Sequence, residues 1–283
     1  MNTVWVSRDV NTIGTTAASG TARLKFSRAG SQTVLERSFA TSPVKLFTTR
    51  NYGGACWVYS ATLGGGFVGG DSVRMTLEVG RESVALLATQ ASTKVYRSLK
   101  PSSQCISASI HEDALLAVLP DPVVCFAGAD FSQEQRYDVS GRGNLVVVDW
   151  ITSGRHAAGE RWAFSRYRSR IDISRDGRRI FFDSLTLQHE TDSVAERMGR
   201  FDVWATCVMT GARVADAAAA ILESVSQLPV RAQADTIESA CPLAGGTLLR
   251  VAGTNVEEVG RLLRARLAFL HPLLGDDPWS RKW

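Results

Sequence analysis

Residues 63–97 read LGGGFVGGDSVRMTLEVGRESVALLATQASTKVYR, and this stretch decides the fold. It begins with a glycine-rich segment, residues 64–70. Polar and apolar residues then alternate strictly over residues 72–79, which predicts a strand with one buried and one wet face. Residues 83–90 are more uniformly apolar, which predicts a strand buried on both faces. A third strand is predicted at residues 93–98.

The glycines invite comparison with a phosphate-binding loop, but the residues that follow them exclude one. A P-loop needs a lysine and a serine or threonine directly after the glycines, followed by a helix. Here Asp71 comes next and a strand follows, and a carboxylate repels phosphate. The glycines therefore predict a tight bend that leads into a β-meander.

Strand patterns continue on both sides of this stretch, over most of the region up to residue 210. The clearest hairpin is predicted at residues 164–173 and 179–187, around the turn pair Asp176 and Gly177. Beyond it, residues 211–283 predict helix, strand and helix, with a capping box at residues 254–257 starting the last helix. We therefore predict a single, mainly β domain over residues 1–283. Spacing alone does not separate a sandwich from a stacked β-helix.

Composition excludes several classes of protein. The chain has 283 residues and a net charge of only +4, which gives no strong case for nucleic-acid binding, because that usually needs a clustered basic face. No apolar run is long enough to span a membrane, and the N-terminus has no signal-peptide core. The five cysteines are scattered and form no C-x-x-C pair, which favours free thiols in the cytoplasm over disulfides or zinc.

Three motifs carry a resemblance to a known family. GGGFVGGD at residues 64–71, LLATQASTKVYRS at 86–98 and DWITSGRHAAGERW at 149–162 resemble the signatures of UreD (UreH) urease accessory proteins. The resemblance covers roughly residues 58–189.

The resemblance implies a β-helix-like fold with helices packed beside it, and a protein that is not an enzyme. It also implies binding to apo-urease subunits, to a UreF-type accessory protein and to a UreG-type GTPase. Nickel would pass transiently through an internal polar passage on its way to the urease active site, and no cofactor would be tightly bound.

Two groups of residues are candidates for this role. One is a set of polar residues in otherwise apolar strands, which we expect to line a water-filled channel: Thr89, Gln90, Lys94, Tyr96 and Arg97. The other matches family motif positions, and each member directly follows a glycine: Asp71, Arg155 and Glu160. We expect Arg155 to supply a positive charge to Glu160 or to Asp71.

Metal-binding and catalytic signals are weak. His189 and Glu190 belong to the densest group of metal-ligand side chains, but an exposed loop would look the same. No G-x-S-x-G nucleophile motif occurs. The rival enzymatic interpretation is a β-rich hydrolase or transferase that uses Glu160 and Asp149. A second rival is a structural binding module without a metal role.

Two surfaces are candidates for partner binding. The C-terminal region is rich in apolar residues, and exposed apolar surface often marks an interface: Leu263, Leu267, Leu270, Trp279 and Trp283. The alternative is that this tail packs on its own sheet. The hairpin arginines share one strand face, which fits either a solvated face or a surface for an acidic partner: Arg166, Arg168 and Arg170.

Overall fold

The computed structural model describes residues 20–49, 53–189, 193–229 and 231–280. Within these ranges the chain forms seventeen strands: β1 (Gly20–Ala29), β2 (Gln32–Ala40), β3 (Val44–Thr48), β4 (Cys56–Thr62), β5 (Ser72–Val79), β6 (Val84–Thr89), β7 (Thr93–Val95), β8 (Ser102–Ile110), β9 (Leu115–Leu119), β10 (Val123–Cys125), β11 (Asp130–Val139), β12 (Asn144–Thr152), β13 (Arg166–Arg175), β14 (Arg178–Gln188), β15 (Val203–Thr210), β16 (Thr236–Leu243) and β17 (Gly246–Gly253). The described helices are α1 (Val194–Met198), α2 (Ala215–Ser226), α3 (Val256–Arg266) and α4 (Leu270–Leu274).

The strands build two sheets stacked face to face. The first sheet has the order β14-β13-β11-β8-β5-β1-β2. The second has the order β16-β17-β15-β12-β9-β6-β4-β3, with the short strands β7 and β10 attached beside β12. Between β5 and β13 the chain passes back and forth between the two sheets, and neighbours such as β5 and β8, or β6 and β9, pair in parallel. The β-helix-like form implied by the resemblance is confirmed.

The predicted meander is wrong, and the turn after β5 shows why. Consecutive strands of a meander pair with each other, whereas β5 and β6 lie in different sheets. The chain crosses over at residues 80–82, where Gly80 donates its N–H to the Phe26 carbonyl and Glu82 donates to that of Glu112. Alternation of polar and apolar residues reports which face is buried but carries no information about the pairing partner.

Antiparallel pairing is found at the ends of the stack, and the predicted hairpin there is confirmed. β13 and β14 pair antiparallel around Asp176 and Gly177. Both turn residues have positive φ, at 49° and 77°, as a two-residue hairpin turn requires.

Apolar residues form two core layers, one on each side of the second sheet. The inward residues of β5 fill the layer between the two sheets, as the alternation predicts. β6 is buried on both faces, with Leu87 in this layer and Leu86 in the layer beneath the helices. The predicted two-sided burial of this segment is therefore confirmed.

The C-terminal helices cover the outer face of the second sheet, and this changes the interpretation of their leucines. Leu263, Leu267 and Leu270 are all buried in the layer under the helices, and Trp279 packs against the same layer. The expectation that they form an exposed apolar surface is wrong, because the tail packs on its own sheet. Trp283 lies outside the described residues.

Two local details of the C-terminal third also differ from the prediction. β16 was not predicted, because this strand lies at the sheet edge with mostly exposed residues and contains Pro242. The cap of α3 is Asn255 rather than Thr254, since the Asn255 side chain accepts hydrogen bonds from Glu257 N and Glu258 N.

All five cysteines are free thiols, three of them buried, as predicted. None of the helices in the described part of the chain is long and apolar enough to cross a membrane.

Candidate functional site

The signature motifs meet at one end of the two sheets. The glycine-rich loop lies along the segment after β7, where Phe67 donates its N–H to the Lys94 carbonyl and Tyr96 donates to the Phe67 carbonyl. Gly66 must lack a side chain here, because a Cβ would collide with the Lys94 carbonyl. Gly65 and three further glycines of the loop have positive φ. The predicted tight bend is confirmed.

A cavity of about 150 Å³ opens between the sheets beside this loop. Its lining combines apolar side chains with hydroxyl and amide groups; the polar members are Ser60, Thr62, Thr89, Gln90, Ser92, Thr93 and Gln104. Gln90 lies at the exposed rim, whereas Thr89 lies further in. Polar side chains between two β-sheets need hydration or mutual hydrogen bonds, so this cavity suits water.

A second, smaller hollow of about 30 Å³ continues the cavity inward. The two share four polar residues: Ser60, Thr89, Thr93 and Gln104. The inner hollow then reaches Gln133, Gln135 and Asp149. A row of polar groups therefore runs from the exposed rim to Asp149 in the middle of the molecule, and we call it the polar route.

Asp149 is the innermost carboxylate of the polar route. Its Oδ2 accepts a hydrogen bond of 2.5 Å from Ser169 Oγ, and its Oδ1 accepts one from Gln133 Nε2. Because it lines a hollow, Asp149 keeps some accessible surface, yet burial still raises its pKa to about 6. The hydrogen bonds from Ser169 and Gln133 oppose this shift by stabilising the charged form.

Beyond Asp149, polar residues continue toward the far edge of the second sheet. Asp149 pairs in register with Thr206, and Thr206 pairs with Arg250 on β17. Arg250 Nη2 reaches across to Asp183 Oδ1 of the first sheet at 2.9 Å. This ion pair joins the two sheets, and the Asp183 charge also raises the pKa of Asp149.

The structure divides the five predicted channel residues. Thr89 and Gln90 line the cavity, and Thr89 exchanges hydrogen bonds with Asp121. Lys94 and Arg97 are exposed outside it, and Tyr96 packs edge-on against the Phe126 ring. The remaining polar lining, including Ser60, Gln104 and Gln133, was missed.

Arg155 was expected to pair with Glu160 or with Asp71, and in the structure it pairs with Glu160. Arg155 Nε donates to Glu160 Oε2 at 3.0 Å, and a second nitrogen of the guanidinium contacts Oε1. These hydrogen bonds hold the pKa of Glu160 below its usual range. Ala127 N also donates to Glu160, and Arg155 lies over the Phe126 ring. Glu160 therefore ties two loops of the signature end together.

Asp71 and His189 have local structural partners. Asp71 Oδ2 accepts a hydrogen bond from Val68 N within its own loop. His189 Nε2 lies 2.9 Å from the Trp162 carbonyl, and its Nδ1 accepts from Val194 N, so both ring nitrogens are engaged. This arrangement does not favour His189 as a metal ligand.

Glu190, the other weak metal candidate, lies outside the described residues. Among the described residues, no three His, Cys, Asp or Glu side chains are grouped so that they could hold a metal ion.

The hairpin arginines lie on the outer face of the first sheet, as predicted, while Tyr167 points inward. One of them, Arg166, pairs with Asp130, and Arg179 on the neighbouring strand pairs with Asp172. Arg175 donates to backbone carbonyls of the neighbouring turn. These contacts favour a structural role for the hairpin.

Comparison with known proteins agrees with the motifs gathered at the signature end. Residues 18–283 match the family described as UreD urease accessory protein. The chain belongs to the UreD family. It is 48% identical to a protein of Sorangium cellulosum named urease accessory protein UreD, over 94% of this chain and 85% of that protein. It is 33% identical to urease accessory protein D of Arabidopsis thaliana, over 92% of this chain and 99% of that protein.

UreD proteins are accessory proteins and not enzymes themselves, so this family assignment overturns the rival interpretation as a hydrolase or transferase. The geometry agrees with that result. Glu160 is neutralised by Arg155, whereas Asp149 is bound by Gln133 and Ser169. The two carboxylates have separate partners.

Proposed function

We propose that this UreD-family chain is a scaffold that binds apo-urease together with UreF-type and UreG-type accessory proteins and passes nickel through its interior. The observation that carries the proposal is the polar route from the rim at Gln90 to Asp149. The free thiols fit a reducing cytoplasm.

The chemistry of the polar route suits a cation that has to leave again. Ni²⁺ accepts carboxylate ligands readily, and hydroxyl and amide oxygens can replace part of its water shell. A transit site must bind weakly enough to release its cargo. One carboxylate among neutral oxygen donors, with no three-ligand cluster among the described residues, meets that requirement.

Asp149 supplies the negative charge that favours the cation at the deepest point. With a pKa of about 6, its carboxylate is mostly ionised at neutral pH. At lower pH a proton occupies it, so a cation would have to displace that proton. The polar route should therefore carry nickel better at pH 7.5 than at pH 5.5.

A steric block tests the polar route directly. Ser60 borders both hollows, so Ser60→Leu places an isobutyl group across their junction. The matched control is Thr76→Leu on the exposed outer face of β5. Each variant is co-expressed with urease and the other accessory proteins, and the nickel content and activity of the purified urease are measured.

We expect Ser60→Leu to lower nickel per urease active site at least about fivefold, while Thr76→Leu stays at the wild-type level. Both variants should remain folded, as thermal melting will show. Normal nickel loading with a folded Ser60→Leu protein would contradict an internal route.

A further inference from the structure

An exposed patch of apolar and basic side chains lies beside the rim of the polar route. We call it the mouth patch and define it by Val68, Leu99, Lys94, Arg97 and Lys100. Leu99 is completely exposed, and Val68 is nearly half exposed. The three cationic residues are exposed as well.

The mouth patch is held in shape by the signature loops. Phe67 donates its N–H to the Lys94 carbonyl and Tyr96 donates to the Phe67 carbonyl, so the glycine loop that carries Val68 is fixed along residues 94–96. A Cβ at Gly70 would touch the Lys100 side chain, so the glycine loop and residue 100 are in close contact. A preorganised surface loses little conformational entropy when a partner docks.

The cations of the mouth patch have no acidic partners among the described residues. None of Lys94, Arg97 and Lys100 makes an ion pair there, unlike Arg155, Arg166 and Arg179 elsewhere in the chain. Of the nearby carboxylates, Glu160 is neutralised by Arg155, and Asp71, which accepts from Val68 N, offsets only one of the three positive charges. The mouth patch therefore keeps a net positive charge.

We infer that the mouth patch docks an acidic protein surface with an apolar pocket for Leu99. Unpaired cations around an exposed apolar side chain are complementary to an acidic surface with an apolar pocket. The charges steer the encounter, and the apolar contact stabilises the complex once it has formed. A nucleic acid is disfavoured, because the Tyr96 ring packs on Phe126 instead of offering a stacking face.

The position of the mouth patch links docking to the polar route. Gly65 and Thr93 line the cavity; Gly65 lies in the same loop as Val68, and Thr93 directly precedes Lys94. The three cations would repel free Ni²⁺ at the rim. A docked acidic surface neutralises them and seals the rim, so cargo would pass only within the complex. This last step rests on the proposed function, whereas docking itself does not.

The test is a triple charge reversal, Lys94→Glu, Arg97→Glu and Lys100→Glu, together with the single variant Leu99→Ser. The matched control reverses three exposed cations on the first sheet, which also lack ion pairs among the described residues: Arg37→Glu, Arg74→Glu and Arg178→Glu. Thermal melting checks that each variant folds. Binding is measured without metal against purified apo-urease, the UreF-type protein and the UreG-type GTPase, at low and high salt.

We expect the triple variant to weaken binding to one of these partners about tenfold or more and to reduce the salt dependence of that binding. Leu99→Ser should weaken the same interaction, whereas the control should not. Unchanged affinities for all three partners would overturn the inference. Ser60→Leu should bind normally, so failure of docking and failure of the polar route are distinguishable.

Discussion

Burying the Asp149 carboxylate lowers the stability of the folded chain. Its pKa is about 6 in the folded chain, against an ordinary value of 3.8. Between about pH 4 and about pH 6 the unfolded chain ionises first, so rising pH removes on the order of 2–3 kcal/mol of stability. A carboxylate kept under these conditions points to a use for its charge.

Replacing Asp149 with asparagine separates stability from function. The carboxamide introduced by Asp149→Asn can accept from Gln133 and donate to Ser169, so the hydrogen bonds survive. We expect this variant to have a higher melting temperature at pH 7.5 and to differ little from wild type near pH 4. Nickel loading of co-expressed urease should fall in the same variant. A lower melting temperature at pH 7.5 would show that the charge stabilises the fold.

At the scale of secondary-structure elements, the sequence predicted which segments are strands better than it predicted their partners. β12 follows from its apolar run, and most of β11 and β14 follow from alternation. The parallel pairing of β11 with β8 and of β12 with β9 does not, because the turns before and after β11 and β12 lead to the opposite sheet. The polar route was partly accessible: Gln133 shares the inward parity of Phe131 and Tyr137, and a polar residue there signals an internal hydrogen-bond network. Nothing in the pattern says that this network borders a cavity.

The sequence also did not reveal that the apolar face of α3 and the residue after it are buried. This burial changes the expected effect of a mutation there on stability. Leu267 follows α3 directly and is completely buried under the helices. Leu267→Ala should therefore destabilise the chain by about 3 kcal/mol through the cavity it leaves. Val256→Ala, at an exposed position of α3, is the control and should cost far less.

Chemical denaturation measures both variants, and partner binding is measured on the folded protein. We expect binding by folded Leu267→Ala to match wild type, because the leucine is not on the surface. Selective loss of binding with unchanged stability would restore the interpretation of this helix as an interface.

At the scale of the whole molecule, polar groups lie between the two sheets from one edge to the other. Ion pairs lie at the borders of this interior. Glu160 and Arg155 tie loops together at the signature end. Arg250 and Asp183 join the sheets at the edge formed by β14 and β17. Because the Arg250 charge compensates Asp183, it also limits how strongly Asp183 repels the ionised form of Asp149.

Removing Arg250 should therefore change the pH at which the interior accepts a cation. In Arg250→Gln, the uncompensated Asp183 favours the protonated form of Asp149, so we expect the pKa of Asp149 to rise. Carboxyl carbon resonances followed by NMR against pH would measure the shift without any metal. The pH for half-maximal nickel loading of apo-urease should move upward by a similar amount. The double variant Arg250→Gln with Asp183→Asn removes both charges, so the Asp149 titration and the pH for half-maximal nickel loading should both return toward wild type. An unshifted Asp149 titration in Arg250→Gln would mean that the ion pair acts only as a link between the sheets.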